Sequence, residues 1–316
     1  MMQIFDDAAV RRHLAILPLI DGMAEALKAL STPNSGIVQP LRTVHEVPGF
    51  HGGSAGLLFM KPVFTPEVIA TKLITQMPDN ATRGAPTMLA TLLIMDRQTG
   101  APLAVLDATW LTNLRTAAVS AVMARAWLAM RSSKSPIKVA ILGSGALART
   151  HALALHAVTE IAETRIWSRS SANREACASD VAGVPCDSAQ AAVDGADLIV
   201  TVTTSATPVL QGAWLKPGAL VCAIGAPRPT WRELDDAAMH AGIVIADRAD
   251  SAREEAGDIR LSGATVFAEI GEILLGKKTL PPDTNIVFKA LGQAVEDAVA
   301  AQLVIQSHSH SESAHA

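Results

Sequence analysis

The sequence predicts an α/β chain in two parts, a doubly wound parallel-sheet domain and a smaller α+β domain. The first sign is the run Val139-Ala140-Ile141-Leu142, which passes into Gly143-Ser144-Gly145-Ala146-Leu147-Ala148 and at once into a helical pattern of Leu147, His151, Leu155 and Val158. Beyond it, apolar runs at 164–167, 198–202, 220–224 and 243–246 alternate with helical stretches such as 233–240. Before it, apolar runs at 57–60, 69–75, 88–95 and 103–106 follow one another across turns with no helix between them. That pattern belongs to an antiparallel or mixed sheet.

In the N-terminal part, Leu14, Leu17, Ile20, Met23, Ala24 and Leu27 recur at helical spacing and predict one amphipathic helix over residues 11–30. A polar break at 31–36 leads to a strand-like segment, 37–44, and a glycine-rich turn, 49–56. His51 in that turn reads as a surface histidine. Lys72 stands among apolar and β-branched neighbours on the strand 69–75. A lysine on a buried strand requires a partner; the alternative is an edge strand from which it snorkels to water. A helix is expected from Thr112 to about residue 130, with Arg115 in its first turn. There the helix dipole disfavours a cation, so Arg115 meets either a bound anion or a neighbouring carboxylate. The polar stretch 131–136 links this helix to the next strand.

From Val139 the chain carries the dinucleotide fingerprint G-x-G-x-x-G/A in its strand–turn–helix setting, a Rossmann domain. Gly143 permits the tight turn, Gly145 lets a pyrophosphate approach the backbone, and Ala148 keeps helix and strand close. The helix N-terminus at Ala146 and Leu147 offers N–H groups to the phosphates. The second strand ends in Ser168-Arg169-Ser170, where an NAD site usually has an acid. Hydroxyls and an arginine suit a 2′-phosphate, so NADPH is expected over NADH; the alternative is a solvated loop. Thr203 and the run Gly225-Ala226-Pro227 end the fourth and fifth strands and are expected to face the cofactor.

Composition excludes several classes. The 316 residues carry a net charge of -4 and only 3% aromatics, which gives neither the basic footprint nor the stacking platforms of a nucleic-acid binder. No apolar run reaches transmembrane length and no leader is evident, so a cytoplasmic protein without a membrane role is expected. Cys177, Cys186 and Cys222 are scattered without metal or disulfide spacing and read as reduced, mostly buried thiols. No metal is expected; the tail 307–316, with His308, His310 and His315, reads as disordered. The chain has no tyrosine, which removes one common proton donor.

Taken together, Val38-Gln39-Pro40-Leu41-Arg42-Thr43-Val44, Thr71-Lys72-Leu73, Leu114-Arg115-Thr116-Ala117-Ala118, the glycine fingerprint, Arg165-Ile166-Trp167-Ser168-Arg169 and Phe288-Lys289 resemble the ornithine cyclodeaminase/mu-crystallin family over most of the chain. Gly225-Ala226-Pro227-Arg228-Pro229-Thr230-Trp231-Arg232-Glu233-Leu234-Asp235-Asp236 and the segments around Gly257-Asp258 and Phe267-Ala268-Glu269 are closer to its mu-crystallin-like members. The resemblance implies that Arg42 binds a substrate carboxylate and that Lys72 lies beside the reacting carbon. It also implies that Arg115 and Thr116 meet carboxylate and cofactor phosphates, and that Thr87 lies near the nicotinamide. It divides the chain into a substrate-binding and dimerisation domain, 1–116, completed by a helix at 290–306, and an NAD(P)-binding domain, 117–289.

Mu-crystallin-like members are NADPH-dependent ketimine reductases, which implies a small imino-acid substrate and a homodimer. Two departures stand out: Pro227 occupies the place where cyclodeaminases carry an Asp, and Ala290 stands where many members have Ser. The readings left open are an imine reductase, a cyclodeaminase or alanine-dehydrogenase-like enzyme, and a non-catalytic NADPH-linked binding protein.

Overall fold

The computed structural model describes residues 2–133 and 135–315, with side chains through Ser311; Lys134 of the polar linker lies outside them, as do Met1 and Ala316. The chain forms two compact units, one of residues 1–115 and 293–316, the other of residues 116–292.

The first unit opens with β1 (Gln3–Phe5), α1 (Asp7–His13) and α2 (Ile16–Leu30). The single helix expected over 11–30 is therefore two. Pro18 explains the break: inside a continuous helix its ring would collide with the carbonyl of Leu14, whereas in the first turn of a new helix it is tolerated. Asp6 caps α1 by accepting the Ala9 N–H at 2.7 Å. The strands β2 (Thr43–Val47), β3 (Gly56–Phe64), β4 (Val68–Gln76), β5 (Met88–Asp96) and β6 (Pro102–Asp107) follow. They form a sheet ordered β1-β6-β5-β4-β3-β2, antiparallel except for the β1–β6 pair. Of the expected 37–44 strand, Thr43 and Val44 open β2 and Val38 joins only through a bridge to Phe64; Pro40 cannot donate to a ladder.

Helix α3 (Thr109–Met130) starts earlier than the sequence indicated, since Asp107 accepts the Thr109 N–H at 2.8 Å and fixes the first turn. Arg115 consequently lies on the second turn.

The second unit contains β7 (Ile137–Leu142), α4 (Ala146–His156), β8 (Ile161–Trp167), α5 (Ser171–Asp180), β9 (Val184–Pro185), α6 (Ala189–Val193), β10 (Leu198–Thr201) and β11 (Leu220–Ala223). It continues through α7 (Asp236–Met239), β12 (Gly242–Ala246), α8 (Ala249–Glu255), α9 (Gly257–Ser262), β13 (Val266–Glu269), α10 (Ile270–Leu274) and β14 (Asn285–Lys289). All strands are parallel, in the order β13-β12-β14-β11-β10-β7-β8-β9. The chain runs outward from β7 to β9 and returns to the other side of β7 at β10. That reversal is the switch point at which such sheets hold ligands. The helix expected at 233–240 shrinks to α7, with Glu233 in the loop before it.

The chain closes with α11 (Ala294–His315) in the first unit, packed against α2, β3, β4 and β5. Ala294, Val295, Ala298, Ala301 and Val304 are buried at helical spacing and form its inner stripe. The helix does not stop at 306 as expected but runs on to His315; Ala316, the last residue of the expected tail, lies outside the described residues. No Gly or Pro lies between Gly292 and the chain end, His308 packs edge-on against Phe5 with ring centroids 5.2 Å apart, and His13 lies 3.2 Å from the Ser307 hydroxyl.

Candidate functional site

In the first unit the chemistry gathers on one face of the sheet. Lys61 on β3 and Lys72 on β4 are register partners, so both side chains leave the same face. Lys61 is 9% exposed and Lys72 fully buried. The Lys72 ammonium donates to Asp297 Oδ1 at 2.6 Å and to Thr112 Oγ1 at 3.2 Å. Arg115 donates from Nε to the same Asp297 oxygen at 2.9 Å and from Nη1 to Glu296 at 2.9 Å. Both carboxylates stand at the start of α11 and are buried.

Lys72 is thus a buried, paired lysine rather than a snorkelling one. Of the two readings of Arg115, the structure shows the internal carboxylate. Burial, reinforced by the Arg115 charge, holds the Lys72 ammonium well below the usual lysine range, against the pull of Asp297. Lys61 is lowered by burial too, partly countered by Asp297; Arg115 and Arg42 lower it further. Burial pushes the Asp297 carboxyl up, but Arg115, Lys72 and Lys61 outweigh it and hold the group down at about 2. Arg42, half-buried just before β2, therefore lies within electrostatic reach of this cluster. Thr87 is exposed at the entry to β5, and its carbonyl accepts the Met77 N–H.

In the second unit the fingerprint has the geometry a dinucleotide needs. Gly143 sits at φ +136°, and a Cβ there would lie 2.7 Å from the Val202 carbonyl, so only glycine fits. Around Gly145 nothing lies within 4 Å of where a Cβ would stand, which leaves an open cradle above the start of α4. No side chain caps that helix. Gly145 and Ala146 are exposed, and Leu147 partly so. These features fit a bound pyrophosphate.

Arg169 is exposed, with no hydrogen bond or ion pair among the described residues. The Ser168 hydroxyl donates to the Ser170 carbonyl at 3.1 Å, and Ser170 caps α5 through the Asn173 N–H. Thr116, the first residue of this unit, is half-buried on α3. Thr203 donates both its N–H and its hydroxyl to Glu233 Oε1, each at 2.6 Å, so this hydroxyl proton is directed inward. The Gly225 carbonyl accepts from Lys289 Nζ at 2.6 Å, Ala226 is buried at φ +51°, and Pro227 is exposed.

Behind these loops lies a second buried charge network that the sequence did not disclose. Lys289 also donates to Asp258 Oδ2 at 2.9 Å, and Asp258 Oδ1 accepts the N–H groups of Glu233 and Leu234 at 2.7 and 3.0 Å. Glu233 accepts the Thr201 hydroxyl at 2.7 Å. Burial pushes the Glu233 carboxyl up against the opposing Lys289 charge and threonine hydrogen bonds. The motifs Phe288-Lys289 and Gly257-Asp258 pointed to these positions, but nothing local paired them. Likewise nothing local marks Glu296 and Asp297 as the buried partners of Lys72 and Arg115.

Cys177, Cys186 and Cys222 are free thiols, Cys186 only half-buried. Among the described residues no group of His, Cys, Asp or Glu is arranged to hold a metal, and no helix is long and apolar enough to cross a membrane.

Residues 2–312 match the ornithine cyclodeaminase/mu-crystallin family. The chain is 40% identical over 300 residues to the ketimine reductase mu-crystallin of Mus musculus, covering 94% of this chain and 92% of that one. It is 31% identical over 285 residues to a Delta(1)-pyrroline-2-carboxylate reductase of Bacillus cereus, covering 85% and 86%. Among solved structures it superposes on the Thermococcus litoralis Delta(1)-pyrroline-2-carboxylate reductase in complex with NADH and L-proline, with a TM-score of 0.87, 26% identity and 98% coverage of both chains. An archaeal alanine dehydrogenase dimer with bound NAD gives a TM-score of 0.87 at 25% identity, covering 98% and 97%.

Proposed function

The chain belongs to the ornithine cyclodeaminase/mu-crystallin family, and from that premise we propose that it is an NAD(P)H-dependent oxidoreductase acting on C=N. Its substrates are small 2-imino carboxylates, cyclic ketimines such as piperideine-2-carboxylate or pyrroline-2-carboxylate. The observation that carries this reading is Lys72, a fully buried ammonium group tied to Asp297 on a unit where Lys61 and Arg115 act on the same carboxylate and Arg42 lies within electrostatic reach of Lys61. Such a cluster holds an anionic substrate and keeps a proton near it.

The bound dinucleotide supplies the hydride. Gly143, Gly145 and the first turn of α4 cradle its pyrophosphate, and Gly225, Ala226 and Pro227 form the loop at the end of β11. Arg169, exposed and unengaged, meets the 2′-phosphate and favours NADPH over NADH. Arg42 meets the substrate carboxylate, and Lys72 is the source of the imine proton. Arg115 fixes Asp297 and thereby Lys72.

Pro227 has no titratable group for the proton transfers of a cyclodeaminase, which favours reduction over deamination. Exposed Leu41, Val44, Phe50, Met88 and Leu89 on the first unit support a homodimer formed through it, and light scattering at micromolar concentration tests that assembly. Unpaired cysteines support a cytoplasmic location.

The test is NADPH oxidation over cyclic ketimines, and over pyruvate or glyoxylate with ammonia or methylamine, beside ammonia release from ornithine with NAD+. Turnover of a 2-imino carboxylate is expected. Robust ammonia release from ornithine would replace the reductase with a cyclodeaminase.

A further inference from the structure

Lys72 has no exposed surface, yet the reductase reading asks it to protonate an imine. Its two hydrogen-bond partners differ: one only holds it, the other can pass a proton on. Asp297 only accepts. Thr112 Oγ1, 3.2 Å from the ammonium on the half-buried first turn of α3, both accepts and donates. A hydroxyl therefore satisfies Lys72 as an ammonium, by accepting, and as a neutral amine, by donating.

Asp297 Oδ1 carries two cations, Lys72 Nζ and Arg115 Nε. When Lys72 gives up its charge, the carboxylate keeps Arg115 and is not left as an isolated buried anion. The charged groups around Lys72 are Lys61 on β3, Arg115 on α3, and Glu296 and Asp297 on α11, with Arg42 beyond Lys61; its β5 register partner, Leu92, is apolar.

Resting on the reductase reading, we propose that Thr112 is a catalytic relay, carrying the proton from the buried Lys72–Asp297 pair to the imine nitrogen, with Asp297 as the positioning residue behind it. The Thr112 O–H bond breaks as the imine N–H bond forms, and a Lys72 N–H bond breaks to restore the hydroxyl. The hydride from the dinucleotide brings its electron pair to carbon, the C=N π pair becomes the nitrogen lone pair, and the product is a secondary amine. Lys72 is left neutral and regains its proton from water.

The experiment compares the wild type, Thr112→Val and Thr112→Ser, all loaded with NADPH, on piperideine-2-carboxylate. The near-isosteric valine should lower kcat about 100-fold or more while NADPH affinity and Tm stay close to wild type. The serine variant should return kcat to within about threefold, with the solvent deuterium isotope effect of the wild type. A valine variant that keeps kcat, or a serine variant as impaired as the valine one, would overturn the relay and leave the reductase standing. A wild type inactive on every imine would overturn both. Should the valine variant fail to fold, Thr112→Ala takes its place and is read by the same outcomes.

Discussion

Among the described residues each unit buries one lysine completely and pairs it with a buried aspartate, and the two pairs are built for different ends. In the second unit Lys289 is divided between Asp258 and the Gly225 carbonyl, both pure acceptors, while Asp258 spends its other oxygen on two backbone N–H groups. Neither partner of Lys289 has a proton to give or to pass on. In the first unit Lys72 shares one aspartate oxygen with Arg115, has a hydroxyl as its remaining partner, and leaves Asp297 Oδ2 buried without a hydrogen bond. A saturated network fixes a loop; an incompletely satisfied one with spare positive charge can exchange a proton. Burial alone does not make a lysine catalytic. Partners that tolerate both of its charge states do.

The comparison can be broken most directly at Lys72. Lys72→Ala should cost about 10²- to 10⁴-fold in kcat, the range of general acid–base catalysis, with little change in NADPH affinity, because Asp297 keeps Arg115. Steady-state kinetics beside cofactor titration reads this; a variant that loses cofactor binding with kcat intact would make Lys72 structural.

Lys289→Met is the counterpart in the second unit. It leaves Asp258 buried and without its cation, and should destabilise by about 3–5 kcal/mol, read as a fall in the urea midpoint. Normal stability with reduced turnover would reverse the roles assigned to the two lysines.

Acid titration sharpens the contrast. Asp297 is held at about 2 in the fold, against the ordinary carboxylate value of 3.8. Between about pH 4 and 2 the unfolded chain therefore binds more protons, stability rises with pH, and this contribution is lost as pH falls through the folded value. It amounts to about 2 kcal/mol and should be missing from the pH dependence of Asp297→Asn. Glu233 is shifted the other way by burial, so its contribution is present at low pH and is lost as pH rises from the ordinary glutamate value through the folded one. Urea midpoints of Glu233→Gln across mildly acidic pH should show a flatter dependence than wild type; a steeper one would contradict the assignment.

The smallest effect belongs to a cation outside both networks. Arg169→Ala should weaken NADPH by about 1–3 kcal/mol and leave NADH unchanged, as fluorescence titration of each would show. Equal losses with both cofactors would detach Arg169 from the 2′-phosphate.

Much of this was legible in the chain because it rests on local requirements. The turn at Gly143 needs a positive φ and a missing Cβ, and both are properties of one residue. The alternation of apolar runs and helical patterns after Val139 points to a parallel sheet, since a helical crossover between two strands carries the chain back to the edge it started from. Lys72 is recognisable as a buried lysine because its strand neighbours are apolar and β-branched. Pro18 and the absence of Gly or Pro after Gly292 were equally visible, yet the two helices they govern were misread. A proline interior to an amphipathic pattern forces a break that periodicity alone passes over, and a polar helix end is held by packing on α1 and β1 that only the fold supplies.

What the sequence determined by itself was the two-part α/β fold, the dinucleotide turn and the demand that Lys72 find a partner. Which partner was decided by tertiary structure alone. Asp297 lies 225 positions away, Arg115 takes carboxylates of α11, and Glu233 leaves its expected helix to meet Thr201 and Thr203. A buried charge fixes that a counter-charge must exist, because the desolvation cost is local. It does not fix which of many acids answers, because that depends on which helix packs across the sheet and on the register in which it does so.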